Sequence, residues 1–292
     1  MYAAEFEYLS PTSRETVVSL LDRHGDDAKV LAGGQSLIPM MNLRLVQPRL
    51  VIDINRLPLD DIRVENGSLV IPSGIRHRQL ARDPLVARHA PLVVEAARFI
   101  GNVRVRSLGT IGGSVAHADP AAELPCVVTA LDARIGVVGK DGPRTIPADE
   151  FFLTYLTTAL GPTELVTEIR IPALRPRTGQ AFVEFTRRAS DFAIVEAAAV
   201  VELDRRERCR RVSLVFGGIQ DSPLQSGGEA SAVLVGEQPS RAALSEVARR
   251  VRAQAQPHDD VHGTAAYRLQ LVSTLTPRVL QTAVERARGG RG

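Results

Sequence analysis

The segment Val30-Leu31-Ala32-Gly33-Gly34-Gln35-Ser36-Leu37 reads as a strand, a glycine turn and the start of a helix. A second segment, Gly109-Thr110-Ile111-Gly112-Gly113-Ser114, repeats the theme of an apolar residue, two glycines and a small polar residue. Glycine lets the backbone approach a ligand closely and turn through positive φ. Successive N–H groups in such a turn form a nest that holds an anion. Two nests in one chain predict a ligand with two phosphates, which points to a dinucleotide. Gln35 and Ser36 at one site, and Thr110 and Ser114 at the other, add side-chain groups that can bond phosphate oxygens.

Outward from the first pair, residues 1–55 predict strand–helix–strand–helix–strand. Ser10-Pro11-Thr12-Ser13 supplies capping residues, with proline near the first helical position. Val17, Val18, Leu20 and Leu21 form an apolar face, and Gly25 stops the helix. Lys29–Ala32 is a short strand, Ser36–Leu43 a second helix and Leu50–Ile54 a third strand. Strand-to-helix glycine turns are common phosphate sites.

Residues 56–175 form a second block. Asn66-Gly67 between Ile62-Arg63-Val64 and Leu69-Val70-Ile71 is a hairpin signal. Pro91–Phe99 and Leu124–Leu131 are apolar helices, the latter led by Glu123, and Lys140-Asp141-Gly142 marks another hairpin. Glu164–Ile171 is a strand closed by Pro172. The run Ala173–Gly179 reads as a linker. Beyond it lie three strands (Ala181–Phe185, Ala197–Leu203, Val212–Phe216), then helices over Ser240–Gln254 and Thr264–Arg286. That order predicts an α+β fold with a C-terminal three-stranded antiparallel sheet and helices. The tail 286–292 is expected to fray.

Composition narrows the function. The 292 residues suffice for two domains with a full core. Basic residues number 36 against 33 acidic ones, dispersed along the chain, with four Tyr, eight Phe and no Trp. Nucleic-acid binding needs clustered charge and stacking rings, so it is not expected. The only cysteines, Cys126 and Cys209, stand far apart. An iron–sulfur cluster needs about four ligands, so this chain cannot hold one alone. The N-terminus lacks a signal-peptide pattern, and no apolar run approaches the roughly 18 residues of a membrane span. A cytoplasmic protein is expected.

No Rossmann GxGxxG, P-loop GxxxxGK[ST] or GxSxG nucleophile elbow occurs. His117 and Asp119 have an HxD spacing without further histidines nearby, and read as a loop beside a cofactor rather than a metal site. His24, His77, His89, His258 and His262 read as surface or loop residues.

The flanks of the glycine pairs carry a resemblance. The run AGGQSLIPMMNLR, residues 32–44, resembles the first flavin motif of the FAD-binding medium subunits of molybdenum hydroxylases. The run TIGGSVAHADPAAELP, residues 110–125, resembles the second. Arg188-Ala189-Ser190-Asp191-Phe192-Ala193 is similar to the family's segment near the flavin ring. Asp259–Gly263 with Ala266-Tyr267-Arg268 resembles its C-terminal domain. The family implies a PCMH-type FAD-binding domain over residues 1–175, in subdomains of about 1–55 and 56–175. A carbon monoxide dehydrogenase flavoprotein C-terminal-like domain follows over 176–292.

It also implies roles. Lys29, Val30, Leu31, Ala32, Gly33, Gly34, Gln35, Ser36 and Leu37 would wrap the pyrophosphate and adjoining ribityl and ring atoms. Thr110, Ile111, Gly112, Gly113 and Ser114 would complete the pyrophosphate cradle. Glu123 stands where the family has an acidic contact to the cofactor, usually Asp. Ile100 and Val166 match apolar positions around the cofactor. Arg187 is the nearest match for a basic residue near the ring, and Phe192 matches an aromatic lying against the isoalloxazine. Ser114 departs from the family's asparagine, and a direct contact there would become water-mediated.

The implied activity is electron transfer, with no catalytic residue and no metal in this chain. A large subunit would carry molybdopterin, and a small subunit two [2Fe–2S] clusters. Electrons would pass from those clusters through FAD to an external acceptor, in a heterotrimer that is often doubled. The alternatives are a stand-alone FAD-dependent oxidoreductase of the same flavin-binding fold, and an assembly module that has lost flavin.

Overall fold

The computed structural model describes residues 2–59, 61–225 and 230–289. The first 55 residues form β1 (Glu7–Leu9), α1 (Arg14–His24), β2 (Ala28–Leu31), α2 (Leu37–Asn42) and β3 (Leu50–Asp53). The three strands are parallel in the order β1-β3-β2, with α1 packed on them through Val17 and Leu21. Helix α1 starts at Ser13, whose side chain accepts the Thr16 N–H, and ends at Gly25 with φ 52°. Ser13 alone caps it, and Pro11 lies outside the helix.

The next body is a five-stranded antiparallel sheet covered by helices. The hairpin β4 (Arg63–Glu65) and β5 (Ser68–Pro72) turns at Asn66-Gly67, both with positive φ, as a type I′ turn requires. Short helices follow: α3 (His77–Leu80), α4 (Pro84–His89), α5 (Pro91–Ala97), α6 (Val103–Leu108), α7 (Ile111–His117) and α8 (Glu123–Ala130). Then come β6 (Arg134–Gly139), β7 (Gly142–Pro147), α9 (Ala148–Phe151), the hairpin β8 (Phe152–Thr154) with β9 (Thr157–Thr158), and β10 (Leu165–Pro172). The sheet order is β4-β5-β10-β6-β7. Strand β10 is central although last in sequence.

The remainder is an antiparallel sheet, β11 (Thr178–Phe185), β12 (Val195–Leu203) and β13 (Cys209–Gly217), edged by a two-residue β14 (Leu224–Gln225). The expected three strands are thus joined by a fourth, too short to leave a periodic signal. Helices α10 (Arg241–Gln254) and α11 (Ala265–Ala287) cover one face. Gly179, expected in a linker, is inside β11. A Cβ there would lie 2.5 Å from the Ala287 nitrogen, so glycine is what allows strand and helix backbones to touch.

The other face of this sheet is buried against the central body. Phe182, Ala198, Val200 and Val215 join Leu92, Val93, Leu124 and Val127 in one core. Polar groups reinforce the seam. Gln180 accepts the Leu92 N–H at 3.0 Å, and Arg286 grips the Glu95 carboxylate at 2.7 Å. Arg286 is therefore anchored in α11, where fraying was expected; residues 290–292 lie outside the described residues.

Candidate functional site

A cleft of about 640 Å³ lies where these bodies meet. Volumes of this size hold cofactors and drug-sized ligands. The turn between β2 and α2 forms one wall, and α7 with the end of β5 forms the opposite one.

On the first wall, Gly34 has φ 69°, and Gln35 folds back to donate to the Gly33 carbonyl at 3.0 Å. Among the described residues the N–H groups of Gly33, Gly34, Gln35 and Ser36 have no protein acceptor, and all four residues line the cleft. Buried N–H groups are nearly always bonded, so these donors are offered to a ligand or water.

The second glycine pair works differently. Gly112 and Gly113 are not a positive-φ nest; they lie inside α7. The N–H groups of Ile111, Gly112, Gly113 and Ser114 are taken by the Ile75 carbonyl, the Ser73 carbonyl, the Thr110 hydroxyl and the Thr110 carbonyl. These glycines serve close approach instead. A Cβ on Gly112 would sit 2.8 Å from the Ser73 carbonyl oxygen, and one on Gly113 would lie 2.9 Å from Thr110 Oγ1.

A polar clamp behind the walls ties them together. Arg76 donates to the Leu108 carbonyl and, at 2.5 Å, to Asn55 Oδ1. Asn55 Nδ2 in turn donates to the Ala32 carbonyl at 2.9 Å and to Asp53 Oδ1 at 2.6 Å. Tyr8 closes the chain on Asp53 Oδ2 at 2.5 Å. The carbonyls held by this clamp, Ala32 and Leu108, immediately precede Gly33 and Gly109.

Titratable groups shape the lining. His77 is 4% exposed, and burial lowers its pKa from 6.5 to about 4, so the imidazole is neutral. Expected at the surface, it is packed instead under Gly109. Its Nδ1 and the Ser73 hydroxyl are buried on the cleft wall without partners. Glu123, at the first position of α8, has its pKa pushed up to about 8, chiefly by burial. The carboxyl is mostly protonated at neutral pH and able to donate. His117 and Asp119 also line the cleft.

Of the residues matched to flavin contacts, Lys29, Val30, Ala32, Gly33, Gly34, Gln35, Ser36 and Leu37 border the cleft. So do Ile100, Thr110, Gly112, Gly113, Ser114, Glu123, Val166 and Phe192. Leu31, Ile111 and Arg187 do not. Leu31 packs under the turn, Ile111 is wholly buried, and Arg187 donates outward to the Val261 carbonyl at 3.2 Å. Phe192 stands at the mouth, 61% exposed, on the loop between β11 and β12. That loop is held from behind by Arg268, which is buried and bonds the Ile194 and Gly218 carbonyls and Asp260. Ser73, His77, Asn55 and Arg76 were not singled out by the sequence, because each acquires its place only through long-range packing.

The chain matches the family model for the FAD binding domain in molybdopterin dehydrogenase over residues 4–174. It matches the CO dehydrogenase flavoprotein C-terminal domain over 180–283. Fold and cleft thus define a flavoprotein of the oxidoreductase class. The chain belongs to the family of FAD-binding medium subunits of molybdenum hydroxylases. It is 38% identical over 289 residues to the 6-hydroxypseudooxynicotine dehydrogenase complex subunit alpha of Paenarthrobacter nicotinovorans, covering 99% of this chain and 97% of that one. It is 36% identical to the carbon monoxide dehydrogenase medium chain of Hydrogenophaga pseudoflava, covering 97% and 98%. A solved carbon monoxide dehydrogenase from that organism, lacking the Mo-pyranopterin moiety of its molybdenum cofactor, superposes with a TM-score of 0.95 over 98% of this chain and 99% of that one.

The residues present fit FAD. Four unsatisfied N–H groups on one wall and two orphaned buried polar atoms on the other face a cleft whose walls meet only because glycines stand at the contacts. Among the described residues no helix is long and apolar enough to cross a membrane.

Proposed function

We propose that this chain is the electron-relay subunit of a molybdenum-containing dehydrogenase or hydroxylase. A large subunit with molybdopterin would oxidise the substrate, and a small subunit with two [2Fe–2S] clusters would pass the electrons on. FAD, when bound in the cleft, supplies the redox chemistry that carries them to an external acceptor. The observation that carries the reading is the cleft itself, in which residues 33–36 present free donors opposite Ser73 and His77. Residues 29–30 and 32–37, with Ile100, Thr110, Gly112, Gly113, Ser114, Glu123 and Val166, hold the cofactor, and Phe192 covers its exposed edge. Glu123, protonated at neutral pH, donates a hydrogen bond rather than adding charge. Two cysteines are too few for the roughly four ligands of an iron–sulfur cluster, which leaves the clusters to another chain. Family members named as a medium chain or a subunit support partner chains.

Co-purification from the native source tests this. The expected result is a yellow complex that releases FAD on denaturation and reduces an acceptor, while the chain by itself binds FAD but turns over no substrate. A chain that stays colourless after incubation with FAD overturns the reading. Turnover of a small substrate by the isolated chain would favour a stand-alone flavin oxidoreductase.

A further inference from the structure

Glu184 on β11 and Glu196 on β12 stand directly opposite each other in the antiparallel register. Such residues have Cβ atoms about 4.5–5.5 Å apart, and like charges there repel. They lie on the face of the sheet turned toward the FAD-binding body, because Phe182, Ala198 and Val200, two and four residues away in the alternation, belong to the shared core. The Cys126 thiol lies against Glu196, which is 0% exposed, and among the described residues neither carboxyl oxygen has a partner of normal hydrogen-bond geometry. The same holds for one oxygen of Glu184.

Nothing packed around Glu196 brings a counter-charge. The facing position on β13 is Gly217, where a Cβ would lie 2.9 Å from the Glu196 carboxyl carbon. Helix α8 brings Glu123 and, one turn later, Cys126, and the loop before α8 brings Asp119. Arg106 is felt by Glu123 but not among the groups acting on Glu196. An ionised carboxylate buried among acids is costly, so the neutral form wins. Burial accordingly pushes Glu196 well above the usual carboxylate range, Glu123 to about 8 and Glu184 to about 7. Glu123 borders the cleft and Glu184 is half-buried, so Glu196 is the enclosed member between two more accessible ones.

We propose that Glu196 is a proton store for redox chemistry in the cleft, exchanging with Glu123 on the cleft side and with Glu184 on the other; the redox part rests on the flavin-subunit reading. The exchange moves protons only. Glu123 first gives up its own proton to the group reduced in the cleft; an O–H of Glu196 then breaks as one forms on the ionised Glu123, and Glu184 reprotonates Glu196 and takes its own proton from solvent. Because no N–H or O–H group of the described residues reaches the Glu196 oxygens, the transfer runs through internal water of the kind buried polar groups recruit.

Infrared spectroscopy of the full chain, with and without added FAD, reads protonated carboxyls directly by their C=O stretch and its shift in D₂O. The expected result at neutral pH is a protonated-carboxyl component, beside those of Glu123 and Glu184, that Glu196→Gln loses. With FAD bound, chemical reduction changes that absorbance in the wild type and not in Glu196→Gln. Glu184→Gln, at a half-buried site, is the second variant should the first fail to fold, and is expected to shift the Glu196 absorbance. Identical absorbance in the wild type and the variants overturns the inference, as does a wild-type absorbance that reduction leaves unchanged. A chain that takes up no FAD overturns the redox role through the flavin reading while the carboxyl absorbance persists, so the two failures are told apart.

Discussion

Gly33 and Gly109 are in backbone contact: a Cβ on Gly33 would sit 2.6 Å from the Gly109 Cα. One glycine belongs to the turn that offers free N–H groups, and the other leads into the helix of the opposite wall. Their contact sets the width of the cleft.

Gly33→Ala is therefore expected to push the walls apart. Its added methyl meets backbone, which cannot rotate away, and overpacking of this kind costs about 1–3 kcal/mol. Gly113→Ala meets only the Thr110 hydroxyl and, at 4.0 Å, the Ala32 Cβ. Thermal unfolding should show a clear loss for Gly33→Ala and a small one for Gly113→Ala, with FAD content reduced in both.

The clamp of Arg76 and Asn55 acts on the same geometry from behind. Hydrogen bonds to charged groups contribute about 1.5–3 kcal/mol. Arg76→Ala should weaken FAD binding in a fluorescence titration, and Asn55→Ala should do the same. The double variant should lose less than the sum, since one bond joins the two side chains. Strict additivity would show that the clamp does not act as a unit.

Gly179→Ala separates stability from binding. It lies in the seam between β11 and α11, away from the cleft lining. Denaturant unfolding should report a loss of about 1–3 kcal/mol, with FAD stoichiometry preserved in the folded fraction.

Stability should depend on pH with two opposing limbs. His77 titrates near 6.5 unfolded and about 4 folded. Its contribution is fully present above pH 6.5 and lost as pH falls toward 4, amounting to about 3 kcal/mol. Glu123 is raised from 4.5 to about 8, so the folded chain keeps a proton that the unfolded chain releases. Stability from that group is present below pH 4.5 and lost as pH rises to 8. Melting temperatures of the chain without FAD should fall between pH 6.5 and 8, where His77 is neutral in both states. Glu123→Gln should make this limb shallower, Glu184 and Glu196 supplying the rest, and His77→Gln should flatten the acid one.

Much of this architecture was legible where local chemistry decides it. Asn66-Gly67 named its own turn, Gly25 ended α1, and the helix read over Ser240–Gln254 is α10. The glycine pairs located the cleft, yet the second pair was misjudged in kind. Glycine disfavours helix interiors, so Gly112 and Gly113 read as a turn; contact with Ser73 outweighs that preference. His77 was illegible for a related reason. Its neighbours in sequence are polar, and only the arrival of Gly109 over its ring buries it. Arg187 sits beside the segment matched to the flavin ring, but the loop after β11 that carries it points it at the Val261 carbonyl.

The grip of Arg286 on Glu95 has a consequence in time. Glu95 also accepts the Phe182 N–H, so one carboxylate holds α5, β11 and α11 together. The strands that carry the Phe192 loop, β11 and β12, lack the helix packed on their outer face until α11, on which α10 rests, has been synthesised and docked. During synthesis, then, the first two bodies can fold around an open trough, and the wall that retains a cofactor is hung last.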